Sequence, residues 1–372
     1  MKISDIEAYD LVIPYDSYLQ PAWAPGVVVK SRNFTLVLVH TDSGITGYGG
    51  GDGHHAGKIL KSVKPMLTGH SPFDIEKYVR ILSSVGGVWM VEIALWDICG
   101  KAANLPLYKM WGAARDKVPA YASAFQLGTP ENRAEQAAHY MEKGFKALKI
   151  RIHSKTIKED LAYVDAVRNA VGDKMDIMVD ANQATDIIPS FEPGLKWDYK
   201  RALKTALELQ DRGVVWLEEP LGRWNFEALS NLTKSTTIHI AGGEHNAALR
   251  EFRWMLEKGV YDIIQSDVLY ESLTQVRKVM ALCEAYNVHF VPHHGASAIG
   301  MAATLHLMCI NPGWTYIEYM YDPPFRTVRG YQCLGGIVTT PLEIDGDGCL
   351  SPPDAPGLGI EIDRELIKKY LA

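Results

Sequence analysis

The chain has 372 residues, 47% of them hydrophobic, and a formal net charge of −6, so it is too long for one ordinary domain unless the fold is a large barrel. The negative charge and the lack of long basic runs argue against nucleic acid and anionic membranes as partners, and no leader peptide or membrane-length apolar run is recognisable. The five cysteines form no CxxC pair, which argues against a disulfide framework and predicts a reducing, cytoplasmic location.

The first 117 residues are predicted to form a mixed α+β domain. Residues 35–40 and 45–48 are apolar runs that flank an Asp-Ser-Gly turn, which predicts a β-hairpin. Helical periodicity follows at about 56–66 and again at 87–103.

From residue 118 onward, short apolar runs alternate with stretches of helical periodicity, as at 132–143, 160–171 and 273–285. The runs are predicted as strands and occupy 118–125, 147–152, 176–182, 214–220, 238–244, 262–267, 289–294 and 316–320. Eight strands alternating with helices favour an α/β fold with a (β/α)₈ barrel over residues 118–342. An open doubly wound sheet is the alternative, but no GxGxxG follows the first strand. The Gly- and Pro-rich tail, 343–372, is expected to return to the N-terminal domain.

The second predicted strand carries two cations on one face. Side chains alternate along a strand, so Lys149 and Arg151 point to one side and the aliphatic residues between and beside them to the other. Cations that point into a barrel interior are costly unless anions meet them. The anions could be protein carboxylates or a bound acid substrate.

Three predicted strands in succession end in a carboxylate, namely Asp180, Glu218 and Glu244. The C-terminal ends of barrel strands carry the active site, so these acids are expected on one rim. Each acid alone could cap a helix, pair with a lysine or be solvated. Together they repel one another unless a cation lies between them, and hard oxygen ligands favour Mg²⁺.

The last three strands add a predicted acid–base pair and a further acid. Asp267 and His293 end adjacent strands, where the aspartate can orient the imidazole ring and raise its basicity. Glu318 on the eighth strand is expected to hydrogen-bond a substrate oxygen. The neighbouring residues Glu219 and His294 are expected to point elsewhere because of strand alternation.

These motifs resemble those of the enolase superfamily, and within it the mandelate racemase group of the mandelate racemase/muconate lactonizing enzyme family. The segment ALWDICGKA at 94–102, followed by Pro106-Leu107, is similar to that family's helix before the barrel. The resemblance implies a modified (β/α)₈ barrel under an N-terminal α+β capping domain that the C-terminal tail completes. It also implies proton abstraction α to a carboxylate, a Mg²⁺ cofactor and a homo-oligomer. It assigns the metal ligands to Asp180, Glu218 and Glu244, the base dyad to Asp267 and His293, and the electrophilic acid to Glu318.

Two loops of the capping domain usually set specificity in this group, and here they would lie at about 15–29 and 49–56. The second loop carries His54 and His55, which we predict as substrate-binding residues, although solvated loop histidines are an equal alternative. Asn182 and His245, beside two predicted metal ligands, are also predicted to bind substrate. Segment 183–196 is expected to help shape the pocket.

The resulting hypothesis is a Mg²⁺-dependent acid-sugar dehydratase whose base His293 removes the C2 proton of an aldonate or aldarate, after which the C3 hydroxyl leaves. The family's Lys-x-Lys pattern is Lys149-Ile150-Arg151 here, and arginine stays protonated, which weakens a two-base racemisation. A racemase, epimerase or lactone cycloisomerase with the same enediolate chemistry is the alternative, in which Lys149 could serve as a second base. A non-catalytic carboxylate-binding protein is the third hypothesis.

Overall fold

The computed structural model describes residues 1–24, 26–126, 128–184, 196–295 and 298–372. Most of the predicted pocket segment 183–196 therefore lies outside the described residues. The chain begins with an antiparallel sheet of β1 (Ile3–Leu19), β2 (Val29–Thr41) and β3 (Thr46–Asp52), in that order. The predicted hairpin is confirmed as β2–β3, whereas β1 was not predicted.

Short helices cover one face of this sheet and complete the capping domain. They are α1 (Ala56–Lys58), a π-helical turn (Ile59–Val63), α2 (Lys64–Leu67), α3 (Ile75–Ser84), α4 (Met90–Ala103) and α5 (Leu107–Met110). The central helix α4 is buried along most of its length and lies directly on β3. This close approach requires glycine, because a Cβ on Gly49 would lie 1.8 Å from the carbonyl oxygen of Met90.

The eight strands of the second domain are parallel, and their order follows the chain, with the eighth strand beside the first. They are β4 (Val118–Ser123), β5 (Ala147–Arg151), β6 (Asp176–Asp180), β7 (Trp216–Glu218), β8 (His239–Gly242), β9 (Ile263–Ile264), β10 (His289–Phe290) and β11 (Ile317–Tyr319). This arrangement confirms the predicted modified (β/α)₈ barrel. Each observed strand is shorter than its predicted run.

Helices follow the strands and surround the barrel. They are α6 (Pro130–Glu142), α7 (Ile157–Val171), a 3₁₀ turn (Gly172–Lys174), α8 (Tyr199–Gln210), α9 (Phe226–Ser235), α10 (Leu249–Lys258), α11 (Leu273–Ala285) and α12 (Ala298–Met308). Thr129 and Thr156 begin α6 and α7 with capping boxes, which satisfy free backbone N–H groups at the helix start. After β11 come a π-helical turn (Val328–Gln332) and a 3₁₀ turn (Leu334–Gly336).

The barrel interior has an apolar layer that includes Tyr121, Trp216 and Tyr316, whose rings meet edge to face. A charged row crosses the sheet at the other end, because Arg151 pairs in register with Asp180 and Asp180 with Glu218. Lys149 and Arg151 point inward as predicted, while the aliphatic side chains of β5 pack in the outer core.

The C-terminal tail contacts both domains. β12 (Cys349–Leu350) pairs antiparallel with β4 of the barrel, and α13 (Arg364–Tyr370) then packs against β1. There Arg364 Nη2 lies 2.8 Å from Glu7 Oε2, so the end of the chain contacts the capping sheet as expected. Within the described ranges, no helix combines the length and the apolar character needed to cross a membrane.

Candidate active site

A cavity of about 310 Å³ lies between the capping domain and the ends of the barrel strands. Both domains contribute to its wall, as expected for a barrel with its site at the C-terminal ends of the strands. The lining residues are Tyr15, Trp23, Ala24, Arg32, Asp52, Arg151, Asn182, Glu244, His245, Leu269, Tyr270, His293, His294, Met320, Arg326 and Tyr331.

His293 projects into this cavity and is held from behind by Asp267. Its Nδ1 atom donates to Oδ2 of Asp267, which leaves Nε2 as the nitrogen available for proton transfer. Nε2 lies 3.2 Å from Glu244 Oε2 and 3.8 Å from Glu318 Oε2. Burial lowers the pKa of His293, but the carboxylates of Glu244 and Asp267 outweigh this effect and raise the pKa to about 10. The dyad is therefore a strongly basic imidazole whose Nε2 lies at the cavity wall, beside Glu244.

Lys149 is fully buried between two carboxylates. Its Nζ lies 2.6 Å from Glu218 Oε1 and 3.0 Å from Glu318 Oε1. Burial lowers the pKa of Lys149, but these two acids raise it further than burial lowers it. The first of the two inward cations is thus met by protein anions and stays protonated.

Arg151 reaches the cavity wall through a different set of contacts. Its Nη1 donates to Ser123 Oγ at 2.6 Å and to the carbonyl oxygen of Ala124 at 3.2 Å. Its Nε lies 3.4 Å from Asp180 Oδ2. The guanidinium group therefore places permanent positive charge beside Asp180, at the end of the cavity that carries the predicted metal ligands and is called the reacting end below.

The three predicted metal ligands are all buried at or just after the ends of β6, β7 and β8, but the described ligand atoms that lie within 4.8 Å of one another are those of Glu219, Glu244 and His245. Asp180 accepts hydrogen bonds from the backbone N–H and Nδ2 of Asn182, at 2.7 and 2.9 Å. Glu218 accepts from Lys149, from Trp216 Nε1 at 3.0 Å and from Gln265 Nε2 at 2.8 Å. Glu244 faces His293 and lies 2.9 Å from His245 Nε2. Asp180 and Glu218 share one face because they are register partners.

Glu219 does not point away from the site, so the expectation from strand alternation is wrong. One of its carboxylate oxygens lies within 4.8 Å of a carboxylate oxygen of Glu244 and of a ring nitrogen of His245. The strand ends at Glu218, and Glu219 adopts a left-handed backbone with φ of 47°, which removes the alternation. Burial first, then Glu244 and Asp180, raise the pKa of Glu219.

The carboxylates at this end fit a divalent cation. Asp180, Glu218, Glu219 and Glu244 are all buried. Burial first, and then neighbouring carboxylates, raise the pKa of Asp180, Glu218 and Glu219, whereas burial raises the pKa of Glu244 less than His293 and His245 lower it. Glu219 Oε2 has no hydrogen-bond partner among the described residues. Glu218 accepts hydrogen bonds from protein groups at three of its roughly four acceptor positions, which leaves one for a metal. A cluster of oxygen donors with excess negative charge is the donor set that Mg²⁺ prefers.

Two of the predicted substrate-binding residues line the cavity and two do not. Asn182 and His245 are part of the wall. His54 instead lies 4.0 Å from Asp10 on an exposed surface, and the ring of His55 turns back to the carbonyl of Asp52 at 3.1 Å. Asp52 is the last residue of β3 and the one that reaches the cavity. The chain turns away after it, so the assignment of both histidines is corrected.

Several lining residues were not predicted as site residues from the sequence. Arg32 comes from β2 of the capping sheet, and Arg326 and Tyr331 follow β11, whereas Asp52 lies within the predicted specificity loop at 49–56. His294 also lines the cavity, against the expectation from alternation, because β10 ends at Phe290, four residues earlier. Its ring lies 4.0 Å from that of His293, and its Nδ1 contacts the Tyr331 hydroxyl at 3.3 Å.

Comparison with known families agrees with this geometry. Residues 132–366 match the enolase C-terminal domain-like family, and residues 16–112 match the N-terminal domain of mandelate racemase / muconate lactonizing enzyme. The chain therefore belongs to the enolase superfamily, in the mandelate racemase / muconate lactonizing enzyme family.

Individual relatives cover most or all of the chain. An arabinonate dehydratase from Saccharolobus solfataricus is 26% identical over 99% of both chains. A 3,6-anhydro-alpha-L-galactonate cycloisomerase from Streptomyces coelicolor is 31% identical over 74% of this chain and 69% of its own. The structure of a racemase from Streptomyces coelicolor with bound magnesium superposes with a TM-score of 0.84, at 26% identity, over 100% of both chains.

Proposed function

We propose that this protein is a Mg²⁺-dependent acid-sugar dehydratase. It removes the proton α to the carboxylate of an aldonate or aldarate and eliminates the C3 hydroxyl, which gives a 2-keto-3-deoxy acid. The similarity to an arabinonate dehydratase over the full length supports this reaction.

The observation that carries the proposal is the His293–Asp267 dyad at the cavity, with no lysine among the described wall residues to act as a second base. His293 Nε2 faces the cavity, and Asp267 holds the other ring nitrogen. Lys149 is enclosed by Glu218 and Glu318 and is not part of the cavity wall. Arg151 remains protonated at any working pH. One base suffices for elimination, whereas racemisation through two bases requires a second.

Asp180, Glu218 and Glu244 would hold the Mg²⁺ ion, with Glu219 as the alternative to Glu218. Once bound, Mg²⁺ supplies positive charge that stabilises the enediolate form of the substrate and offsets the charge of Glu244 beside His293. The magnesium in the Streptomyces coelicolor racemase structure supports this cofactor.

The other charged residues of the site would contact the substrate or stabilise its negative charge. Arg151, with Lys149 behind it, places positive charge where the reacting carboxylate would lie. Glu318, whose Oε2 has no hydrogen-bond partner within the described part of the chain, is placed to hydrogen-bond a substrate oxygen. After taking the C2 proton, His293 can return it to the departing C3 hydroxyl as the C3–O bond breaks, so that water leaves. Tautomerisation of the resulting enol gives the ketone.

A lactone cycloisomerase is the second candidate. It is supported by the 31% identity to a named cycloisomerase and by the fact that such a reaction also needs one base. It differs in expelling a ring oxygen instead of hydroxide, so no water is lost.

The test is product analysis with a panel of aldonates, aldarates and their lactones, in Mg²⁺ and in EDTA. Formation of a 2-keto-3-deoxy acid from an open-chain acid, only with Mg²⁺, is the expected result. Isomerisation of a lactone or anhydro acid without loss of water would replace the dehydratase with the cycloisomerase. Binding of an acid without C2 proton exchange would revive the carboxylate-binding protein.

A further inference from the structure

The cavity wall also contains two buried arginines, Arg32 and Arg326, here called the arginine pair. Arg32 extends from β2 of the capping domain, and Arg326 follows β11 of the barrel. Both guanidinium groups lie over the same ring, that of Tyr331, with their Cζ atoms 4.3 and 4.5 Å from its centroid. The two domains thus converge on one positively charged spot in the wall.

Arg326 has no anionic partner among the residues that the structure describes. Its side chain is only 8% exposed, yet its Nε and Nη1 have no hydrogen-bond acceptor. Aromatic rings flank the guanidinium plane, with Phe125 at 3.9 Å and Tyr331 at 4.5 Å. Rings can stabilise the faces of a guanidinium ion, but its N–H groups point outward in the plane and still need acceptors.

Arg32 is only partly neutralised. Its Nε lies 2.5 Å from Asp52 Oδ1, but the buried Nη1 atom has no acceptor within the described ranges. Among the described residues, Asp52 is the one carboxylate that forms an ion pair with either arginine, so the pair has two cations for one acid. A buried guanidinium stays charged, and leaving its N–H groups unpaired is costly.

An anion between these groups would remove that cost. A carboxylate can accept two N–H bonds from a guanidinium in parallel, which makes it a better partner than a hydroxyl group. Among the described residues of the wall, only the arginine pair and Arg151 carry permanent positive charge. Arg151 belongs to the reacting end, so the arginine pair is available for a second anionic group.

The arginine pair is separated from the base by a short chain of contacts. The two guanidinium groups lie over the ring of Tyr331. The hydroxyl of Tyr331 contacts His294, and the ring of His294 packs beside that of His293. A ligand group held by the arginine pair would lie beside Tyr331 and His294, whereas the cation beside Asp180 is Arg151.

We infer that the arginine pair binds the second carboxylate of a sugar diacid, so that the substrate is an aldarate and not an aldonate. This inference rests on the proposed dehydratase function for the reacting end. It goes beyond that proposal because it assigns the substrate class from residues outside the catalytic cluster. Arg32 and Arg326 are thus specificity-determining residues.

The experiment compares aldarates with aldonates of the same carbon number and configuration, for the full chain with Mg²⁺. We expect kcat/KM for the diacid to exceed that for its matched monoacid about 100-fold or more, as for a site whose buried polar groups need a specific partner. Arg326→Gln and Arg32→Gln should each lower this ratio about 10-fold or more, mainly through KM for the diacid. Arg253→Gln, at an exposed arginine that pairs with Glu257 outside the cavity, is the control and should keep the ratio.

Two results separate this inference from the proposed function. Dehydration of monoacids as efficiently as diacids, or a ratio that neither cavity variant changes, would overturn the diacid assignment and leave the dehydratase intact. If no acid of either class is turned over, the dehydratase proposal fails, and calorimetric titration with the same acids decides the inference. Tighter binding of diacids that is lost in Arg326→Gln supports the arginine pair, and equal binding of both classes overturns it.

Discussion

His293 and Asp267 are joined by a hydrogen bond between Nδ1 and Oδ2 at the base of the cavity. Asp267 is itself fixed, because the backbone N–H of Leu269 donates to its Oδ1 at 2.7 Å. Its side chain is fully buried, so the charge acts on the imidazole with little screening by water. The aspartate therefore sets both the orientation and the basicity of the ring.

Asp267→Asn should keep the shape of this contact and remove its charge. Without the carboxylate, the protonated imidazole is less stabilised, so we expect kcat to fall about 10- to 100-fold. KM should change little, because Asp267 does not line the cavity. Steady-state kinetics on the best acid substrate measures both constants. A change confined to KM would contradict a positioning role for Asp267.

The choice between Glu218 and Glu219 as a metal ligand can be tested with a matched pair of variants. Glu218 shares a face with Asp180 through strand register, whereas Glu219 follows the strand end. We therefore expect Glu218→Gln to weaken Mg²⁺ binding about 10-fold or more, and Glu219→Gln to weaken it less. Calorimetric titration with Mg²⁺ in the absence of substrate measures the affinities. The reverse order would assign the ligand to Glu219.

The raised pKa of Glu92, a residue away from the active site, predicts that the stability of the fold depends on pH. It joins α4 to the start of α11, accepting from the backbone N–H of Thr274 at 2.9 Å and from Trp96 Nε1 at 3.2 Å. Burial raises the pKa of Glu92 from 4.5 to about 7 despite these hydrogen bonds. The folded state thus favours the protonated acid. Its contribution to stability is complete below about pH 4.5 and is lost as pH rises through about 7.

Comparison with Glu92→Gln isolates this contribution, since glutamine does not titrate. The free energy of unfolding of the natural chain should fall relative to the variant by up to about 3 kcal/mol between pH 4.5 and 8. Denaturant unfolding of both proteins at the two pH values measures the difference. An equal difference at both values would show that Glu92 does not titrate in this range.

The packing of α4 on β3 gives a prediction about the fold. Gly49→Ala would place a methyl group 1.8 Å from the Met90 carbonyl oxygen, so the helix and strand must separate. We expect the free energy of unfolding to fall by about 2 kcal/mol or more. Gly57→Ala is the control, because no atom lies within 4 Å of its added Cβ, and a change below about 1 kcal/mol is expected. Thermal unfolding compares the two, and equal losses would contradict the close approach.

The barrel was predictable because its signal is local and repeated. Runs such as 147–152 and 176–182 are too apolar for loops, and α11 has the predicted bounds 273–285. The elements of the capping domain were harder to predict from the sequence. β1 was missed although Ile3, Ile6, Leu11 and Ile13 are buried along it, because charged and polar residues interrupt the alternation. Helix 56–66 was predicted as one element but contains a π-helical turn (Ile59–Val63).

The reacting end of the site was predictable because its acids end consecutive strands. The expectations failed where the strands stop earlier than their apolar runs, as at Glu219 and His294, since alternation no longer applies there. Arg32 and Arg326 could not be found from local pattern, because they lie almost 300 positions apart and meet only through the contact of the two domains. The arginine pair could therefore be recognised only once the contact between the two domains was known.

The most direct test of the single-base reaction is proton NMR in D₂O of the natural chain and of His293→Asn, each with Mg²⁺ and the best acid substrate. The natural chain should convert the substrate to a product with a C3 methylene beside a keto carbon, deuterated from solvent. His293→Asn should show neither this product nor loss of the C2 proton signal, while calorimetry shows that it still binds Mg²⁺. Turnover or C2 exchange in that variant would contradict the role of His293. Loss of the C2 proton in the natural chain with an unchanged carbon skeleton would contradict dehydration.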